Sequence, residues 1–407
     1  MNSESVVTKS ALPNETKPAR VCVVGSGTRF LSGISYYTCR LANAMSASHR
    51  VSAILMRQLL PTRFYPGRER VGTSLTSLEY ASAIKVYNGV DWYWLPSLFR
   101  AIALLVRERP DVLVFQWWTG TVLHTYLLLA LIGRWLGARV VIEFHEVLDT
   151  GEDRIPIVRN YARLVAPWLI KLAQGFVVHS RQDIPLLENR YRLAGRPVTI
   201  IPHGPYDHYQ TTHDRPATAR QAPENCCNLL FFGVIRPYKG LEDLIQAFDA
   251  IPETEIENYW LTIVGETWEG WTLPQELIAR SRYRQRITFV NRYVVDQEVA
   301  EYFAGADAVV LPYRRSSASG PLHVAMSHGL PLAVSRVGGL IEAVARYEGA
   351  ILVPPGDVAA LTEALNRLAE WKGQRFSDPH SWEHTVERYS RFFETLTGPE
   401  KLEEAMV

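Results

Sequence analysis

Residues 229–232 (LLFF) form an unbroken apolar run that stops at Gly233, and Arg236, Lys239 and Gly240 follow before helical spacing begins at Leu241. A short run that is apolar at every position fits a strand buried on both faces, which means a parallel sheet covered by helices on either side. The same pattern recurs at 21–25 (VCVVG), 51–56, 112–117, 140–144 (VVIEF), 176–179 and 199–204, and again at 260–264, 287–290, 308–311, 331–334 and 350–353. Helical spacing alternates with these runs at 34–47, 121–136, 241–250, 296–304 and 320–328. Such alternation predicts βαβ units, and 407 residues are more than a single core usually serves. The expectation is an α/β chain of two Rossmann-like, doubly wound parallel-sheet domains facing a central cleft. They cover residues 20–205 and 226–380, with a Pro-, His- and Thr-containing linker at 206–225. Residues 1–19 are polar, lack the apolar core of a signal peptide and read as a disordered lead. An amphipathic helix opens the last segment, 381–407.

The turn after residue 232 also has a chemistry. Arg236 and Lys239 stand beside a helix start, where backbone N–H groups are unpaired and the helix dipole favours an anion. A second Gly-containing turn, Ser319-Gly320, opens another helix about eighty residues later. Two helix starts and two cations converging on one spot suit a diphosphate. No Asp-x-Asp occurs in the chain, so a metal-bridged diphosphate lacks its usual ligand motif, and no metal site is expected. Gly25-x-Gly27 matches only the start of a dinucleotide fingerprint, and no acidic residue ends the next strand at Met56, which argues against a nicotinamide cofactor.

Composition narrows the class further. With 47% hydrophobic and 21% charged residues the chain is globular. Four cysteines, two of them vicinal at 226 and 227, show no metal or disulfide spacing and point to a reducing cytosol. The net charge of +1 conceals a dipole: residues 1–205 hold 24 Lys+Arg against 14 Asp+Glu, and residues 206–407 hold 19 against 28. The basic half does not read as a nucleic-acid surface, because its arginines sit among Trp and Tyr rather than in a Lys-rich stripe. Residues 112–133 carry no formal charge and are long enough to span a bilayer, but polar interruptions divide them into strand, loop and helix. Residues 91–109 and 159–171 mix aromatic residues with Arg and Lys on helical spacing. They suit either a helix packed on its own sheet or one lying in lipid headgroups.

These motifs resemble the family-four glycosyltransferases, the retaining nucleotide-sugar enzymes of the GT-B fold. The similarity runs from about residue 21 to about residue 396 and rests on Gly233, Arg236 and Lys239-Gly240, then on the tract AMSHGLPLAVSRVGGLIE at 325–342. It implies a hexosyltransferase-like transfer from a nucleotide-diphosphate sugar, serving as donor substrate rather than cofactor, to a glycan or lipid-linked acceptor, with retention and without metal. The first domain would be the acceptor side, and the second would hold the donor. The terminal helix would cross back to the first domain. The resemblance assigns catalytic roles to His145, Arg236 and Lys239. It assigns donor contacts to Gly33, Gly233, Asn291 and Tyr293, the last two in a loop over the nucleobase. The family's usual pair of glutamates, with seven residues between them, falls here on Ser316 and Val324. Neither is a carboxylate, so Ser316, Ser319 and Gly320 are the expected substitutes at the donor. Glu146, Asp149, Glu152 and Asp153 form an acidic loop where an acceptor-activating base could reside. The missing carboxylates also leave open an inactive binding subunit or a sugar-nucleotide epimerase. The expected location is cytoplasmic, with peripheral contact at an anionic membrane's inner face.

Overall fold

The strands β1 (Arg20–Ser26), β2 (Arg50–Met56) and β4 (Val112–Trp117) are buried at almost every position, as strands must be when helices cover both faces of their sheet. The computed structural model describes residues 18–27, 33–57, 78–91, 94–147, 156–209, 220–268, 270–316 and 318–397. Residues 1–17 of the expected lead, Asp149, Glu152 and Asp153 of the acidic loop, and 210–219 of the linker lie outside these.

The first sheet adds β3 (Lys85–Val90), β5 (Arg139–Phe144), β6 (Gly175–Val178) and β7 (Val198–Ile200), in the order β3-β2-β1-β4-β5-β6-β7. The second contains β8 (Cys227–Phe232), β9 (Tyr259–Val264), β10 (Ile287–Val290), β11 (Ala308–Leu311), β12 (Leu332–Ser335) and β13 (Ala350–Val353), in the order β10-β9-β8-β11-β12-β13. All pairings are parallel. Strand order reverses between β1 and β4 and again between β8 and β11. The loops leaving the carboxyl ends part at such points and open a crevice. Gly233 follows β8 directly, so the expected anion turn sits at the second reversal.

Among the described residues the first sheet carries α1 (Gly33–Met45), α2 (Pro96–Glu108), α3 (Leu123–Trp135), α4 (Pro156–Leu172) and α5 (Asp183–Arg190). The second domain carries α6 (Leu241–Asp249), α7 (Leu273–Arg280), α8 (Asp296–Ala304), α9 (Gly320–Ser327), α10 (Leu340–Ala343) and α11 (Val358–Glu370). The uncharged stretch at 112–133 is β4 followed by most of α3. Among the described residues no helix is long and apolar enough to cross a membrane.

The final helix, α12 (Trp382–Thr397), leaves the second domain and buries Trp382, Tyr389, Phe392 and Phe393 against Val21, Tyr37 and Leu41 of the first. Burying a large apolar side chain is worth roughly 2–3 kcal/mol, so this aromatic stripe is a substantial anchor. Arg388 Nη1 donates to the Ile200 carbonyl at 3.0 Å, and His49 Nε2 meets Ser390 Oγ at 2.8 Å.

Candidate functional site

The turn after β8 has a backbone that few residues could adopt. Gly233 has φ 122°, and a Cβ on Gly265, at the end of β9, would come within 1.9 Å of its carbonyl oxygen. Gly240 has φ 65°, and a Cβ there would lie 2.0 Å from the Pro312 carbonyl. Between them, one turn of 3₁₀ helix, Pro237–Lys239, leads into α6. The turn thus presses against its neighbours with no side chains in between, which leaves Arg236 and Lys239 as its projecting polar groups.

Both cations lie against rings. The Arg236 guanidinium stands 4.6 Å from the Trp268 ring centre, and Lys239 Nζ stands 3.9 Å from that of Tyr313. Neither makes a salt bridge among the described residues, and Arg236 Nε is buried without a hydrogen-bond partner. Burial lowers the Lys239 ammonium to about 8, with Arg236 pushing the same way and the charges of Tyr238 and Glu146 opposing. The end of β5, where Glu146 follows His145, is thus within electrostatic reach of this turn.

A cavity of about 220 Å³ adjoins the turn. The second domain contributes Gly233, Gly265 and residues 292–294, together with Gly320 and Val324 of α9. The first contributes Gly33 and Tyr36 of α1, and the crossover adds Tyr206 and Tyr209. Tyr206 donates to the Gly33 carbonyl at 3.1 Å, and Tyr36 donates to Asp296 Oδ1 at the start of α8. Three helices therefore begin at this cavity, α1, α8 and α9, and each brings the positive end of its dipole to it, with the Asp296 carboxyl standing at that of α8. The volume is below the roughly 300–1,000 Å³ of a complete small-molecule pocket, so the cleft as it stands would enclose part of such a ligand. A larger cavity, about 1060 Å³, lies between α1 and α12, but none of the residues expected at the site lines it.

His145 occupies a different environment. Three adjacent strands of the first sheet each lead into a histidine: His145 after β5, His179 after β6 and His203 after β7. His179 Nδ1 donates to the Ile201 carbonyl at 2.9 Å, which leaves its Nε2 to accept from His145 Nδ1 at 3.2 Å. Fully buried Glu143 brings Oε1 to 3.6 Å from His179 Nε2 and 3.8 Å from His145 Nε2. Burial holds His145 well below the usual imidazole range, with His179 and His203 adding to the effect. Burial pushes the Glu143 carboxyl up, against the pull of His179 and of the Tyr37, Tyr389 and Gln116 side chains. His203 stacks on Tyr206 of the cavity wall and on His323 of α9, at 5.4 and 5.0 Å between ring centres, so the network continues across the cleft.

Glu143, His145 and His179 are the one set among the described residues with metal-ligand proximity, their ligand atoms lying within 4.8 Å of one another. The His145–His179 hydrogen bond engages two of the ring nitrogens, while His145 Nε2 and Glu143 Oε1 are buried without a hydrogen-bond partner.

The structure gathers Gly33, Gly233, Tyr293 and Gly320 around one cavity, with Arg236 and Lys239 on the adjoining turn. Three expected contacts are placed otherwise. Ser316 donates its hydroxyl to the Ala318 carbonyl at 2.7 Å and does not line the cavity. Asn291 accepts from the backbone and hydroxyl of Thr267, each at 2.9 Å, so its amide braces the loop. Ser319 caps α9, accepting the Leu322 N–H at 3.4 Å, and supports Gly320 from behind. His145 is brought to the cleft by its strand, but its ring nitrogens face His179 and Glu143. Sequence reasoning missed Glu143, His179, His203, Tyr206 and Asp296. The signal for the histidines was present in FHE, VHS and PHG, three successive strand ends with one residue type.

Comparison with known proteins follows the same division. Residues 32–220 match the model of a glycosyl transferase 4-like domain, and residues 226–370 match that of glycosyl transferases group 1. The chain belongs to the group 1 glycosyltransferases. D-inositol 3-phosphate glycosyltransferase 2 of Catenulispora acidiphila is 30% identical over 272 residues, 61% of this chain and 62% of that protein. The GDP-mannose:glycolipid 4-beta-D-mannosyltransferase of Xanthomonas campestris pv. campestris is 35% identical over 136 residues, 33% of this chain and 35% of that one. The chain thus spans less than two thirds of the length of these curated relatives. Among solved structures, sucrose-phosphate synthase of Thermosynechococcus elongatus superposes with TM-score 0.62 at 19% identity, covering 93% of this chain and 96% of the other. HepE of Anabaena in complex with UDP-glucose gives 0.58 at 16%, covering 93% and 97%. The two facing parallel-sheet domains of this group 1 chain are the GT-B fold.

Proposed function

We propose that the chain transfers a hexose from a nucleotide-diphosphate sugar to a glycan or lipid-linked acceptor, with retention at the anomeric carbon. The observation that carries this reading is the pair Arg236 and Lys239, unpaired by any carboxylate among the described residues, beside a cavity where α1 and α9 both begin. The diphosphate lies along the Gly233–Gly240 turn, and the base sits against residues 292–294. The relatives support the substrate class: one is named for a GDP-mannose donor and a glycolipid acceptor, and a structural neighbour is in complex with UDP-glucose.

In the reaction the bond from the anomeric carbon to the phosphate oxygen breaks and its electron pair stays with the nucleoside diphosphate. Arg236 and Lys239 stabilise that growing charge where water is scarce, which is where fixed cations act most strongly. The acceptor hydroxyl forms the new bond on the same face of the sugar. Its proton then passes to the departing phosphate oxygen beside it. The sugar is oxocarbenium-like in between. His145, with both ring nitrogens turned to the buried network, acts as a positioning residue at the end of β5. The acceptor approaches from the first domain, and contact with an anionic leaflet on the cytoplasmic side belongs to the same reading.

The test is a thermal-stability screen against nucleotide sugars, followed by assay of the stabilising donor. Free nucleoside diphosphate should appear only when an acceptor is present, in the presence of chelator as well as in its absence, and NMR of the first-formed product should show the donor's anomeric configuration. Stabilisation with no acceptor-dependent release would identify a binding subunit. The opposite anomer would overturn retention and leave the donor site standing.

A further inference from the structure

Large apolar side chains are exposed almost entirely on one flank of this molecule. Among the described residues of the second domain only Leu273 and Val295 qualify, each less than two-fifths exposed. On the first, α2, α3 and α4 lie side by side over one face of the sheet, and each turns an apolar stripe outward. On α2 the stripe is Leu95, Phe99 and Val106, with Phe99 66% exposed. On α3 it is Leu131 and Trp135, the latter 83% exposed. On α4 it is Ile157, Leu164 and Trp168, at 82, 71 and 60%. The inward faces of the same helices, Leu98, Leu105, Tyr126, Leu129, Leu169 and Ile170, are fully in the core. These helices are therefore apolar on two sides, which a helix that only covers a sheet has no reason to be.

Among the described residues the charges on these three helices are nearly all positive. Neither α3 nor α4 contains an Asp or Glu, and the single acid of α2, Glu108, is bonded by Arg107 Nε at 2.8 Å. Exposed Arg100, Arg163 and Lys171 border the stripes. Aromatic and aliphatic side chains flanked by long cationic ones, on convex helices rather than in a groove, match a headgroup layer: the apolar ends enter the acyl boundary while the cations reach the phosphates.

The geometry points to the outer face of α2, α3 and α4 as the surface that docks on an anionic phospholipid leaflet. In a parallel βα unit each helix begins at the carboxyl end of the preceding strand, so Leu95 and Ile157 lie at the cleft end of the flank. The leaflet would reach the side of the first sheet where β5 ends and α1 begins. A lipid-linked acceptor could then pass from bilayer to cleft without the enzyme releasing the membrane. This last step rests on the proposed transfer reaction, whereas the docking itself does not.

The experiment is sedimentation of the full chain, without donor or acceptor, with phosphatidylcholine vesicles that contain or lack phosphatidylglycerol, at low and high salt. The chain should pellet with the phosphatidylglycerol vesicles at low salt and be released as salt rises. The combined variant Phe99→Ser, Trp135→Ser, Leu164→Ser, Trp168→Ser should lower the partition coefficient by about tenfold or more. Arg100→Glu, Arg163→Glu, Lys171→Glu should abolish the preference for phosphatidylglycerol. Every position is exposed, and an unchanged nucleotide-sugar thermal shift would show that the fold and donor cavity are intact. A chain that stays in the supernatant, or pellets equally with both vesicle types, overturns the proposal. So does a dimer in light scattering that the serine variant dissolves, because the flank would then cover a second copy. Vesicle binding without any donor shift would instead count against the transferase reading alone.

Discussion

The turn after β8 and the ends of β5, β6 and β7 occupy equivalent places, the carboxyl ends of parallel strands facing one cleft, yet they hold their charges in opposite ways. At the turn, Arg236 and Lys239 rest on aromatic faces with no carboxylate partner among the described residues, and desolvation already strains the Lys239 ammonium toward neutrality. At the strand ends, Glu143, His145 and His179 are turned on one another, and burial favours the neutral forms of His145 and Glu143. Position in an α/β fold therefore nominates a site, but what is left electrostatically unsatisfied decides which ligand it can bind. The turn awaits an anion, while at the strand ends the atoms left without a hydrogen bond, His145 Nε2 and Glu143 Oε1, belong to groups whose neutral forms burial favours.

Removing either side tests that contrast. Arg236→Ala or Lys239→Ala should lower turnover by on the order of 10²–10³-fold in a steady-state assay, the usual loss of one charge-stabilising donor. Little change in folding stability should accompany it, since neither cation is paired. Near-normal rates in both variants would break the comparison at its stronger end.

Glu143→Ala should act on stability first. It strips the buried carboxyl from His145, His179 and the neighbouring tyrosines and should cost about 3 kcal/mol, the low end for breaking a buried ionisable cluster. Chemical denaturation would show it as a lower midpoint. A variant that keeps its midpoint but loses turnover would mean that the network reaches the reacting sugar, and the two regions would no longer differ in kind.

The smallest effect is a pH dependence. Because burial lowers Lys239 to about 8, the ammonium is charged below that pH and neutral above it. A diphosphate binds the charged form, so donor affinity should be level below about 8 and fall as pH rises through it, by about tenfold for one charge-assisted contact. An ordinary lysine would hold affinity to above 10. Calorimetry across that range, repeated with Lys239→Arg, should show the midpoint vanish in the variant. If the same midpoint persists, another group is titrating.

Much of this arrangement is legible in the chain because it is local. The ranges 287–290, 296–304, 308–311 and 350–353 coincide with β10, α8, β11 and β13, whose apolar runs are short and sharply bounded. Gly233, Arg236, Lys239 and Gly320 are equally plain, since a turn that must pack backbone on backbone writes its glycines into the sequence. The edge strand β3 carries Lys85, Asn88 and Gly89 and gives no apolar signal, being half-exposed. The short helix α7 carries Pro274 in its first turn and is apolar at few positions. The helix α11 has a clear Asp357 cap and a Leu361, Leu365, Leu368 stripe, so its signal is present though unused above.

The histidine network depends on register. Glu143 stands opposite Val177 only because β5 and β6 pair in parallel with that offset, and no local pattern states it. Ser316 and Asn291 illustrate the converse: a polar side chain near a site is easily claimed by the nearest backbone group, here the Ala318 carbonyl and the Thr267 N–H.

The return of α12 has a mechanical consequence. The chain crosses between the sheets twice, after β7 and after α11, and the crossings touch, with Gly204 of the first lying against the Trp382 ring at the second. Two adjacent pins make a door: sliding and shearing of the halves are blocked, and a single swing about the line through the pins remains. The Tyr36–Asp296 bond lies at the cavity and works as its latch. Opening the cleft is then one rotation that releases the Tyr36–Asp296 bond and the Arg181 N–H bond to Glu342, and a cut in the backbone between 371 and 381 would turn a door into two panels on a string.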